Sequence, residues 1–189
     1  MAYYFRPFPF VEYDIKKNEK TSLLTNIMAR FKIVESFQRQ EAVYYDYSVK
    51  DGERADTIAF KYYNDASLDW VIYITNNIID PEFDWPASTN TVNKYIIKKY
   101  GSIAAANEQI HHYEQLVTSH EVLFDNTIIP ERYEQIDLTT YNTLASSEKR
   151  IVTSYEYEHR DNESKRSIKL LSVDFLPDLL TQVKTVFNT

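Results

Sequence analysis

An α+β fold is predicted by three observations on this 189-residue chain. A strand, a glycine turn and an amphipathic helix follow one another between Tyr47 and Tyr63. Helical periodicity recurs in separate segments on either side of that unit. Beyond residue 108 the pattern changes to the period of two that marks half-buried strands.

In chain order, residues 3–15 alternate Tyr and Phe with proline, and Pro7 and Pro9 forbid a regular helix. The segment reads as an extended arm whose exposed aromatics Tyr3, Tyr4, Phe5, Phe8 and Phe10 need a groove on this chain or another. From Thr21 to Gln40, Leu23, Leu24, Ile27, Met28, Phe31, Val34 and Phe37 approximate a helical stripe. Tyr47 and Val49 alternate as a strand does, and Gly52, beside Asp51, supplies the positive φ of a sharp turn. Ala55, Ile58, Ala59 and Tyr62 then fall at i, i+3, i+4, i+7 on one helix face. Leu68, Val71, Ile72 and Thr75 mark the next helix, ended by Asn76-Asn77. Trp70 lies one residue off that face, to pack between helices or meet a partner, and the same choice holds for Trp85 in its Pro-bounded loop.

Ser88 or Thr89 caps a third predicted helix bearing Val92, Tyr95, Ile96 and Lys99, with Gly101 just past its end. An Ala-rich turn at 103–107 leads into predicted strands at 109–117 and 121–124. A second strand pair is read at 151–158 and 167–171, with the turn between them at 161–164. The chain closes with a helix from about Asp174, its predicted N-cap, with Leu176, Leu179, Leu180, Val183 and Val186 apolar.

Composition narrows the function. Sixteen Tyr, ten Phe and two Trp suit interfaces as well as strands and small cores. Without cysteine there is no disulfide, Cys-ligated zinc, iron–sulfur cluster or thiol catalysis. The net charge is −7, and between Asp51 and Asp84 eight acidic residues face two basic ones, a local balance of −6. Such a face repels phosphate backbones, so no nucleic-acid partner is expected. No apolar run is long enough to span a membrane, and the N-terminus lacks the pattern of a signal peptide. The chain is therefore expected to be made in a cytoplasm, with no membrane partner.

No catalytic set emerges. His111 and His112, as neighbours on a strand, are expected on opposite faces and so share no ion with each other or with His120. Glu156 and Glu158 sit in Tyr-Glu-Tyr-Glu alternation, the outward face of a strand rather than a glycosidase dyad. With two glycines in the chain, phosphate-binding glycine loops are excluded. No enzyme activity, metal or cofactor is expected.

The Asp51-Gly52-Glu53 turn before Ile58-Ala59-Phe60-Lys61-Tyr62 resembles the start of a LysM module. Adding Trp70-Val71-Ile72, Asn76-Asn77-Ile78-Ile79-Asp80-Pro81 and Asp84-Trp85-Pro86, the chain resembles the LysM-like baseplate wedge protein of contractile-tail bacteriophages, the wedge-clamping subunit. Upstream, 24–32 looks like the segment that family places before its module. Downstream, Asn162-Glu163-Ser164-Lys165-Arg166-Ser167-Ile168 looks like its Asn-Glu-x-Lys-Arg-x-Ile strand. The resemblance implies an N-terminal arm and helix over 1–43, a βααβ module over 44–86, and a helix, β-hairpin region and C-terminal helix over 87–189.

It also implies a structural tail protein that joins other wedge subunits and the central hub or tube, in six copies around the tail axis. The alternative is a peptidoglycan-binding LysM protein. Against it, Asp80-Pro81 through Trp85-Pro86 replaces the loop that precedes the last strand of glycan-binding modules. The expected contact residues are the arm aromatics, Asp80, Phe83, Asp84 and Trp85 of the loop, and Lys165 with Arg166. Arg166 lies on the apolar side of its strand with Ile168 and Leu170. It is expected to pair either with Glu156 or Glu158 across a hairpin, or with a carboxylate of a neighbouring subunit.

Overall fold

A computed structural model describes residues 8–17, 20–26 and 43–187. It contains helices and strands in an α+β arrangement and divides into two compact units. One combines residues 1–86 with 165–189, and the other is the continuous segment 87–164.

The first unit begins with a two-stranded antiparallel ribbon, β1 (Phe10–Tyr13) with β2 (Ser22–Thr25). The described part of the arm is thus extended but paired. Leu23 and Leu24, expected on a helical stripe, lie in β2; the remainder of that predicted helix, 27–40, falls outside the described residues. The next strand, β3 (Tyr44–Ser48), runs into the turn where Gly52 takes φ +70°. Helix α1 (Ala55–Tyr63) buries Ala55, Ile58 and Ala59 and ends at Asn64 in the left-handed conformation. A short 3₁₀ turn (Ala66–Leu68), capped by the Asp65 carboxylate, leads into α2 (Asp69–Thr75). Helix α2 buries Trp70, Val71, Ile72 and Thr75, so Trp70 is a core residue.

The closing strand is the main departure from expectation. No strand occurs between Asn76 and Ser88; instead β3 pairs antiparallel with β9 (Ser167–Leu171), Tyr44 opposite Leu171 and Ser48 opposite Ser167. The order β3-α1-α2-β9 is therefore completed from the far end of the chain, and 44–86 does not close by itself. Ile168 and Leu170 point into the core while Ser167 and Lys169 face out, the alternation of a half-covered strand. The 3₁₀ turn Val173–Phe175, capped by Ser172 rather than Asp174, precedes α7 (Leu176–Phe187). Leu179 and Val183, one helical turn apart, join Val43, Val49, Ile58, Val71, Ile72 and Leu171 in one core.

Glu53 fastens the strand–turn–helix. Its carboxylate accepts from Tyr47 Oη at 2.8 Å, Lys61 Nζ at 2.6 Å and Lys50 N at 3.2 Å. Burial pushes this carboxyl up, but the bonds from Lys61, Tyr47 and the Lys50 amide outweigh it and hold it below its usual range.

In the second unit, Ser88 caps α3 (Thr89–Tyr100) and Gly101 ends it at φ +87°. Ser102 at once caps α4 (Ile103–Glu108), so the expected Ala-rich turn is a short helix. A three-stranded antiparallel sheet follows, with β4 (Ile110–Thr118) between β7 (Arg132–Ile136) and β8 (Lys149–Thr153). Between β4 and β7 the chain forms a separate small hairpin of β5 (Glu121–Val122) and β6 (Ile128–Ile129). Helix α5 (Leu138–Thr143) links β7 to β8.

The predicted strand at 151–158 ends at Thr153, where α6 (Ser154–Ser164) begins, and its predicted pairing with 167–171 does not occur. The side chains that α6 buries are polar: Ser154, Glu158 and Asn162, spaced four apart. An apolar-periodicity reading sees no helix face there. Glu158 accepts from Lys99 Nζ at 2.7 Å and Tyr100 Oη at 2.8 Å, both on α3. Asn162 bonds both the N–H and the C=O of Ala87, at 2.7 and 3.0 Å.

Glu114 on β4 gathers Arg150 Nε at 2.5 Å, Arg160 Nη1 at 3.2 Å and His112 Nε2 at 3.2 Å. Burial raises this carboxyl, and these partners together bring it below its usual range. Lowered carboxylates stabilise the fold above the unfolded value of about 4.3 and lose that contribution as pH falls through their folded values. Thermal unfolding followed from pH 7 to pH 3 is expected to show a steep loss below about pH 4.5. Glu53→Gln and Glu114→Gln should each lower stability at pH 7 and flatten that acid limb; an unchanged limb in both variants would refute the assignment.

Candidate protein-interaction site

The predicted contact residues fall into three groups. Tyr3, Tyr4 and Phe5 lie outside the described residues. Phe8 is buried, and Phe10 is 67% exposed on the β1–β2 ribbon. Tyr13, Ile15 and Leu23 are also exposed on or beside this ribbon. A two-stranded ribbon is marginal by itself, and one carrying this much exposed apolar surface gains stability from being covered.

The second group is the loop after α2. Asp84 accepts from the backbone N–H of Ile79 at 3.1 Å and Asp80 at 3.0 Å, and Asp80 accepts from Glu82 N at 3.0 Å. The bonds from Asp80 and Ile79, with attraction from Lys165, hold the Asp84 carboxyl below its usual range. The loop thereby presents Phe83, 67% exposed, from a hydrogen-bonded frame. Trp85 faces the other way: its Nε1 donates to Glu53 O at 2.9 Å and its ring meets Tyr73 edge-on at 5.8 Å. Asp84 and Lys165, 81 positions apart in sequence, line one open cleft with Asn76, Asn77 and Ser167.

The third group is Lys165 and Arg166. Arg166 is bound within the chain, donating from Nη1 to Val49 O at 3.2 Å and from Nη2 to Asp51 Oδ1 at 3.1 Å. The internal carboxylate is thus Asp51 on the glycine turn, not Glu156 or Glu158. Both glutamates are on α6: Glu158 pairs with Lys99, and Glu156 with Arg160. The expected strand face for the two glutamates disappears with the strand.

The histidines also differ from expectation. A β-bulge between Ile110 and His112 lets the rings of His111 and His112 approach, Nδ1 to Nδ1 at 2.8 Å, with His111 stacked on Tyr157 at 3.8 Å. Strict alternation is suspended at a bulge, so the opposite-face argument fails there. Among the described residues, no group of three or more His, Asp or Glu side chains is placed to hold a metal ion. Nor is any helix among them long and apolar enough to cross a membrane.

Two features escaped the sequence reading. The Asn76 side chain acts as a backbone surrogate on β9: Nδ2 donates to Lys169 O at 2.8 Å and Oδ1 accepts from Lys169 N at 2.7 Å. Asn162 makes the same two-way clasp on Ala87. Both asparagines belong to motifs that carried the family resemblance, and both hold elements together.

The model of the family described as "Base plate wedge protein 53" matches residues 2–186. The chain is also 25% identical to "Baseplate wedge protein gp53" of Enterobacteria phage T4 over 192 residues, covering 94% of this chain and 92% of that protein. These matches define the class as structural proteins of the phage baseplate wedge. The chain belongs to the base plate wedge protein 53 family. The peptidoglycan-binding alternative gains no support from them.

Proposed function

We propose that this protein acts by contact alone, tying baseplate wedge subunits to one another and to the central hub or tube, in six copies around the tail axis. It is made in the host cytoplasm and incorporated into the tail. Family membership supports the setting. The observation that carries the clamping role is the β1–β2 ribbon, which displays Phe10, Tyr13 and Leu23 and, among the described residues, has no further strand at either edge. Its uncovered apolar surface suits insertion between neighbours, and the arm residues Tyr3, Tyr4 and Phe5 extend the same aromatic run.

The loop of Asp80, Phe83 and Asp84, with Lys165 beside it, forms a second contact in this reading, and Arg166 and Trp85 keep that region in shape. The β3-α1-α2-β9 order is compatible with a LysM-like module into which residues 87–164 are inserted. In this reading the module serves protein contacts. The test is a null mutant of the phage. Tails purified from the wild type should contain this chain, and the mutant should lack complete baseplates by electron microscopy. Complete baseplates in the mutant would overturn the proposal.

A further inference from the structure

The tip of the β5–β6 hairpin concentrates apolar surface that none of the interactions above uses. Phe124 is fully exposed, at 110% relative exposure, and Val122 and Ile128 are 55% and 62% exposed. Val122 and Ile128 are directly opposed across the hairpin, so their side chains share one face. Such surface at a loop tip contributes nothing to the unit's own core and is unfavourable in water.

The tip is also rigidly built. Leu123 N donates to Thr127 O at 2.9 Å, Asn126 N to Leu123 O at 3.0 Å, and Thr127 N to Asp125 Oδ1 at 2.9 Å. Asn126 takes φ +63°, the left-handed position that closes a three-residue hairpin loop. Phe124 therefore sits on a pre-formed turn and loses little freedom on being buried. The hairpin itself is acidic: between Ser119 and Glu131 there are Glu121, Asp125 and Glu131 and no Lys or Arg, and Arg132, which follows, is paired with Glu134 at 2.6 Å. The Thr127 N–H bond to Asp125 favours its charged form.

We infer that this tip is an anchor, with Phe124 seated in an apolar pocket rimmed by basic residues on a different baseplate subunit. The inference rests on the baseplate reading above and adds a contact surface to it. Charge selects the occupant. A second copy of this chain would bring another acidic tip and a net charge of −7, whereas a basic rim complements the carboxylates. A central aromatic in a desolvated pocket with charges at its rim is the arrangement in which truncation costs most.

The experiment uses the incomplete wedge particles purified from the null mutant, to which full-length protein is added. Phe124→Asp should leave the circular dichroism spectrum and melting temperature of the free protein unchanged, because the side chain touches no core. Its affinity for the particles should fall by about 30-fold or more. Asp125→Lys should weaken binding by a smaller factor and remove part of its salt dependence. A photo-crosslinking amino acid at 124 should join this chain to one other baseplate protein. Unchanged affinity of Phe124→Asp, or a crosslink between two copies of this chain, would overturn the anchor while leaving the baseplate reading in place. Failure of the wild type to bind the particles would overturn both.

Discussion

The fragment 44–86 is expected to remain unfolded in isolation, whereas a chain in which Pro86 is joined to Lys165 by a short Gly/Ser linker is expected to fold. The fragment lacks β9 and α7, and with them Ile168, Leu170, Leu171, Leu179 and Val183 from the core. At roughly 1.5–3 kcal/mol for each buried aliphatic side chain, that loss is on the order of 10 kcal/mol. A typical domain has about 5–15 kcal/mol in total, so nothing remains to hold the fragment. Excision is tolerated because the ends of the inserted unit lie together: Asn162 bonds both backbone groups of Ala87. A flexible linker of about six residues spans roughly 13 Å, enough to rejoin the chain. Amide chemical-shift dispersion and hydrogen exchange distinguish the outcomes. A dispersed spectrum from 44–86 alone would show that β9 is dispensable.

The neighbouring asparagines at the end of α2 should differ sharply in their sensitivity to substitution. Asn76→Ala is expected to cost about 2–3 kcal/mol, because it removes three hydrogen bonds worth roughly 1 kcal/mol each, two to the Lys169 backbone and one to Ile72 O. For a chain of this size, that lowers the melting temperature by roughly 4–12 °C. Asn77→Gly should be close to neutral. Asn77 contributes its backbone conformation, φ +54°, which glycine adopts without strain. It completes a Schellman motif in which Ile78 N donates to Tyr73 O at 2.8 Å and Asn77 N to Ile74 O at 3.2 Å. Equal effects at the two positions in thermal unfolding would refute this division of labour.

The family is legible in the sequence because its motifs are short, local and ordered along the chain. The structure explains why they are informative. Gly52 turns β3 into α1, Asn76 clasps β9, Trp85 bonds Glu53 and Arg166 returns to the same turn. The contact residues were legible only as candidates, because composition identifies aromatics and charges without indicating which way they face. Trp85 and Arg166 turn inward and Phe83 outward, and nothing in a single sequence separates them. Phe124 ends the predicted strand 121–124, and the Asp-Asn turn residues beside it predict a loop but not an exposed apolar tip.

By itself, the sequence determined what depends on neighbours along the chain. That includes the α+β class, the faces of α1 and α2, the end of α3 at Gly101 with its cap narrowed to Ser88 or Thr89, and the inward alternation of Ile168 and Leu170. Local periodicity and capping act within a turn or two of the residue concerned, so they can be read without a partner in space. The tertiary structure alone decided what depends on distant partners. Strand pairing was one such case: β3 bonds to β9, some 120 positions away, and leaves residues 87–164 as a separate unit. The state of residues 154–164 was another. Their buried face is Ser154, Glu158 and Asn162, and its burial is stabilised by Lys99, Tyr100 and the backbone of Ala87. A polar face is worth burying only where its hydrogen-bond partners are already in place, and their positions are a property of the folded chain.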